Sequence, residues 1–198
     1  MRHHQYWSYI LVVLGVFLHP ASFAQNWDIG TESQWKSVTG GALAGIALHE
    51  LGHIGLAEIL DREVDYDGVT IFYPDENLSD QDRARLASAG VQVQWLISES
   101  LLRKSEEQKT SLSSFRAGLV LSQILVSAAY LTILYDHDDG DVTGIHEATG
   151  WSRGKIAAAL AIPAALDTWR LIGLDVPRWV PNISLLSKGL GLTAIWTF

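Results

Sequence analysis

The stretch Gly40–Leu60, GGALAGIALHELGHIGLAEIL, constrains this chain more than any other, because it sets two histidines and a glutamate inside an otherwise apolar run. Residues four apart lie one turn above each other on the same face of a helix. His49 and His53 of His49-Glu50-Leu51-Gly52-His53, a complete H-E-x-x-H, can therefore hold one metal ion between them. Neutral imidazole suits a borderline-soft cation such as Zn²⁺. Glu50 sits about 100° around the helix from His49, close enough to the attacking water to take its proton. Two imidazoles and a carboxylate buried without partners would be costly. A pair of packed core histidines would explain neither the second histidine nor the glutamate between them. The stretch predicts a metal site.

Composition narrows what surrounds that site. The chain has 198 residues and no cysteine, enough for one domain with a sizeable core and no thiolate ligand. Any metal must be held by histidine and carboxylate. The net charge of −8 argues against nucleic acid as a partner, and most of that charge falls in two acidic loops.

Residues 1–24 read as a secretory signal, cleaved or kept as an anchor, with basic Arg2, the apolar run Ile10–Leu18 and small Ser22 and Ala24 before a cut at Gln25. Residues 25–198 are then expected to form a single membrane-embedded domain around the metal motif. A helix over 38–60 carries the metal motif and is long enough to cross a bilayer. Its Gly41 and Gly45 are spaced G-x-x-x-G, which suits close helix packing in lipid. A short β-hairpin is expected over 64–73, around Asp67-Gly68, and a protein-buried helix over 83–102. Further apolar stretches at 115–135, 155–173 and 179–198 complete a mainly α, polytopic membrane helix bundle of 3–4 spans. The basic loop at 103–116 goes inside by the positive-inside rule, and acidic 136–150 goes outside. The expectation is a multi-pass protein of a bacterial inner membrane, in contact with membrane lipid, its site toward the cytoplasmic side.

A catalytic zinc site normally takes three protein ligands and one water. Three sources could supply the third: Asp167, the His146-Glu147 pair, or Asp136–Asp139 with His137. Loop 136–150 is the richest in ligand-type residues. Depth favours Asp167, which with His53 would lie roughly 10 Å from the inner surface at 1.5 Å per residue. The alternative for Asp167 is a pair with Arg170, three residues on.

The order of these motifs resembles the site-2 protease family of intramembrane zinc metalloproteases. That family has H-E-x-x-H, a hairpin-like segment, A-G-P-x-x-N and a late motif ending L-D-G. Here Ala89-Gly90-Val91-Gln92-Val93-Gln94 and Ile162-Pro163-Ala164-Ala165-Leu166-Asp167 follow in that order, with Val91 for the Pro, Gln94 for the Asn and Thr168 for the Gly. The resemblance implies a minimal, divergent member in which His49, His53 and Asp167 bind Zn²⁺ and Glu50 activates water. It implies hydrolysis of a peptide or membrane-protein substrate, with Gln94 or Gln123 as hydrogen-bond donors or as packing groups. Two other readings fit the sequence. One is an exported zincin with a water-soluble core. The other is a non-proteolytic membrane protein, an assembly factor or chaperone that keeps a metal site.

Overall fold

The computed structural model describes residues 31–66, 71–74, 78–138, 140–173 and 175–198; the signal segment 1–24 lies outside them. A capping box starts the first helix. Thr31 Oγ1 accepts from the Gln34 backbone N–H at 3.3 Å, and Gln34 Oε1 accepts from the Thr31 N–H at 2.8 Å. Helix α1 runs from there over Glu32–Ile59, and Asp61, at φ 54°, turns the chain out of it. Strands β1 (Asp65–Tyr66) and β2 (Ile71–Phe72) pair antiparallel with Asp65 opposite Phe72, so the expected hairpin is present. Its tip, with Asp67-Gly68, falls outside the described residues.

Ser79 Oγ accepts from the Asp82 N–H at 3.1 Å and opens α2, Asp80–Gln108, which ends on Lys109 in the left-handed region. The remaining helices are α3 (Ser114–Tyr130), α4 (Asp141–Thr149), α5 (Arg153–Ile172) and α6 (Trp179–Thr197). Helix α2 is the hub and packs against all five of the others. On one side Val91 and Trp95 join Tyr130, Ile145, Leu160 and Ile195 in the largest apolar cluster. Farther along, Leu102 meets Val38, Val120 and Leu171.

Helices α1 and α3 cross so closely that no side chain fits between them. A Cβ on Gly41 would lie 2.0 Å from the Phe115 carbonyl oxygen, and one on Gly118 would lie 2.1 Å from that of Val38. The G-x-x-x-G spacing thus marks a close helix approach, as its small residues predict.

The membrane expectation is corrected. Among the described residues no helix is long and apolar enough to cross a membrane, which overturns the polytopic bundle of 3–4 spans and the multi-pass location. The causes are local. Helix α3 stops after 17 residues, where the chain turns at Leu131. Helix α5 carries Arg153, Lys155, Asp167 and Arg170, and much of its remainder is alanine, which adds little hydropathy. In α1, Lys36, His49, Glu50, His53 and Glu58 share the helix with its glycines. What holds is a mainly helical chain with one short hairpin.

Candidate metal centre

The H-E-x-x-H turn of α1 points its histidines into the protein, where His49 and His53 are both buried. Their Nε2 atoms stand 3.2 Å apart. The Asp141 carboxylate completes the group, with Oδ2 3.4 Å from His49 Nε2 and Oδ1 3.4 Å from His53 Nε2. These three are the one set of three or more His, Cys, Asp or Glu residues among the described residues whose ligand atoms converge, all within 4.8 Å of one another.

Asp141 reaches the centre because 141–149 is helical. Gly140 is the N-cap, Asp141 opens the first turn, and Gly150 at φ 70° closes the helix. A carboxylate in the first turn also sits favourably at the positive end of the helix dipole. Val142, Ile145 and Ala148 recur at helical spacing and bury one face.

Outer contacts orient both imidazoles. His53 Nδ1 donates to the Leu86 carbonyl at 2.8 Å, and His49 Nδ1 donates to Gln94 Oε1 at 3.2 Å. Gln94 is held in turn, its amide donating to Ser122 Oγ at 3.2 Å and to the Gly45 carbonyl at 3.4 Å. With Nδ1 spoken for on each ring, both Nε2 lone pairs face the same point. Gly90 makes room for this. A Cβ there would come within 2.5 Å of the His49 ring.

Two electron pairs and a carboxylate converging in a buried space call for positive charge. Burial alone lowers the His53 pKa, but the facing Asp141, the Leu86 carbonyl and the Glu50 charge outweigh it and raise the value. Burial likewise pushes Asp141 up, yet His53 and His49 hold its carboxyl well below the usual carboxylate range. The Tyr130 hydroxyl donates to Asp141 Oδ2 and lies 3.2 Å from His49 Nε2. Tyr73 Oη lies 3.1 Å from His53 Nδ1. Burial first, then the Asp141 and Glu50 charges, push both phenols up, so each keeps its proton.

A divalent cation fits this donor set. Two imidazole nitrogens and one carboxylate would suit Zn²⁺ and other first-row divalent ions alike. Glu50 adds independent support, since its Oε2 is buried and has no hydrogen-bond partner among the described residues. A cleft of about 80 Å³, lined by Tyr73, Arg83, Gly140 and Glu147, opens onto His53 and Asp141.

The residues expected from the sequence divide. His49 and His53 come together, with Glu50 beside them. Asp167 is engaged elsewhere: it lies fully buried 2.6 Å from Lys188 Nζ, 3.1 Å from Arg170 Nη1 and 2.6 Å from Ser184 Oγ. Arg170 and Lys188 also bind Glu99, so the alternative of an Arg170 pair describes Asp167. In the 136–150 segment His146 donates to the Trp151 carbonyl, Glu147 faces Arg83 at 3.7 Å and Asp136 faces Arg153 at 3.6 Å. Gln94 is a packing and orienting group. Gln123 is buried, with neither amide atom bonded among the described residues. Asp141, Tyr130 and Tyr73 lie outside the motifs that the sequence offers. The signal for Asp141 was the apolar spacing of Val142, Ile145 and Ala148 between two glycines.

Compared with known proteins, the chain matches no family model, no curated protein and no solved structure.

Proposed function

We propose that this protein is a metal-dependent hydrolase of peptide bonds. One observation carries the reading. The Nε2 atoms of His49 and His53 converge with the Asp141 carboxylate, all within 4.8 Å, beside a Glu50 oxygen that is buried and unpartnered among the described residues. His49, His53 and Asp141 would hold the cation, for which Zn²⁺ is the first candidate. When bound, it would supply Lewis acidity toward a carbonyl and acidify the attacking water.

The chain's own residues do the rest. Glu50 takes the proton of the attacking water and passes it to the leaving amine. Tyr73, protonated, donates to the Leu86 carbonyl at 3.3 Å beside His53 Nδ1 and so helps fix that ring. A peptide segment would reach His53 and Asp141 through the cleft that opens onto them. The resemblance of the motif order to the site-2 protease family supports peptide bonds as the substrate class, with Asp141 in the ligand role that the resemblance gave to Asp167.

Metal content and cleavage of an unfolded polypeptide, measured on one set of variants, test the reading. His49→Ala and Asp141→Ala are expected to lose bound metal and activity together. Glu50→Gln is expected to keep the metal and lose at least about 100-fold in rate, as removal of a general base does. Full activity in Glu50→Gln, or metal retained in Asp141→Ala but lost in Asp167→Ala, would sink it.

A further inference from the structure

Tyr130 closes α3 and is 2% exposed, its ring packed in the same apolar cluster as Val91, Val142 and Ile145. Its hydroxyl leaves that cluster for the metal centre, where it meets two of the three converging side chains. It donates to Asp141 Oδ2, and its oxygen lies 3.2 Å from His49 Nε2. Spacing along the chain gives no hint of this contact, since Tyr130 stands 81 residues beyond His49.

The hydrogens at this point can be counted. A phenol brings one, and Asp141 receives it. His49 brings none. Gln94 spends its amide hydrogens on Ser122 Oγ and the Gly45 carbonyl, so its Oε1 faces His49 Nδ1 as an acceptor and that nitrogen is the ring's N–H. His49 Nε2 is left with a lone pair. The phenol oxygen and Nε2 therefore face each other as two acceptors, with no hydrogen for the contact. His53 repeats the pattern. Its Nδ1 goes to the Leu86 carbonyl, and its Nε2 lies 3.2 Å from that of His49 and 3.4 Å from Asp141 Oδ1. Tyr130 Oη thus belongs with the two nitrogens and the carboxylate. All offer electron pairs to one buried place, and buried electron pairs without positive charge are costly. Tyr73 differs, since its hydroxyl sits 3.1 Å from the outer nitrogen of His53, Nδ1, and donates to the Leu86 carbonyl.

We propose, resting on the metal reading of this centre given above, that Tyr130 Oη is a fourth donor to the cation held by His49, His53 and Asp141. The phenol hydrogen is shared with Asp141 Oδ2, which lends the oxygen phenolate character and leaves Oδ1 for the cation. The packed ring keeps the oxygen in place. His53 and Asp141 line the cleft, whereas His49 and Tyr130 do not. The phenol therefore stands at the back of the centre, and a substrate arrives from the other side as a further partner, as catalytic zinc sites that expand to five donors allow.

Loading the full chain with Cu²⁺ tests the assignment, because this ion binds nitrogen and oxygen donors more tightly than its first-row neighbours. Copper bonded to a phenol oxygen shows a visible charge-transfer absorption that imidazole and carboxylate donors do not give. The parent is expected to take up one Cu²⁺ and to show that band. Tyr130→Phe keeps the ring in the apolar cluster and is expected to lose the band, with Zn²⁺ bound at least about tenfold more weakly in a chelator competition. Tyr73→Phe is expected to keep the band. Copper held one-to-one by the parent without the band, or a band that survives in Tyr130→Phe, would overturn the proposal and leave the metal reading standing. A parent that takes up neither Cu²⁺ nor Zn²⁺, or uptake unchanged in His49→Ala, would remove the metal reading and this proposal together.

Discussion

At the scale of single residues, the candidate metal centre depends on groups outside its three converging side chains. Gln94 orients His49 through its Nδ1, and it is itself fixed by Ser122 and the Gly45 carbonyl. Gln94→Leu keeps the bulk and removes the acceptor. Metal affinity is expected to fall about 10–100-fold, as loss of an outer-shell partner does, with the fold intact by circular dichroism. Unchanged affinity in a competition titration would mean that packing alone holds the ring. His49, Glu50 and His53 were legible in the sequence because their spacing is local and the chemistry of four-residue separation on a helix is fixed. Asp141 lies 88 residues beyond His53 in the numbering and was not legible, because only tertiary packing brings it there. Asp167 misled for a physical reason. A lone carboxylate in an apolar segment does need a cation, but Lys188 and Arg170 already supply one each.

At the scale of elements, the apolar stretches gave their helices correctly and their surroundings incorrectly. Helices α1, α3, α5 and α6 lie where the runs at 38–60, 115–135, 155–173 and 179–198 place them. Glycine and alanine, which read as the small residues of a lipid-embedded bundle, serve here to bring α1 and α3 into backbone contact. Gly118→Val is accordingly expected to destabilise the fold by about 3 kcal/mol or more, read as a fall in denaturant midpoint. Gly40→Ala, where a Cβ meets nothing within 4 Å, should leave the midpoint unchanged or slightly raised, since alanine is the better helix former. A loss in Gly40→Ala matching that in Gly118→Val would argue against the close crossing. Helix α4 escaped notice because its acidic flanks gave the whole of 136–153 the look of a solvated connection.

At the scale of the whole molecule, buried charge ties α2, α5 and α6 together. Burial pushes the Glu99 carboxyl up, but its bonds to Arg170 and Lys188 outweigh that and hold it below the ordinary glutamate range. A folded-state value below the unfolded one means stability that is present above the unfolded pKa, about 4.3, and lost as pH falls through the folded value. Glu99→Gln is therefore expected to lie about 2 kcal/mol below the parent at neutral pH, with the gap closing on acidification below pH ~4. Melting curves from neutrality downward check this, and a gap constant with pH would refute the ionic origin. The central position of α2 has a further consequence for how the chain tolerates changes in length. Its 29 residues carry Gly90 and Gln94 toward the histidines, Val91 and Trp95 toward the largest apolar cluster, and Glu99 toward the charge network. One residue inserted at its middle rotates everything downstream by about 100°. Such an insertion would unseat all three regions at once, whereas one after Lys109, in the short connection before α3, would disturb none of them. Deletions and insertions accepted by this protein should therefore cluster in its connections and spare the interior of α2.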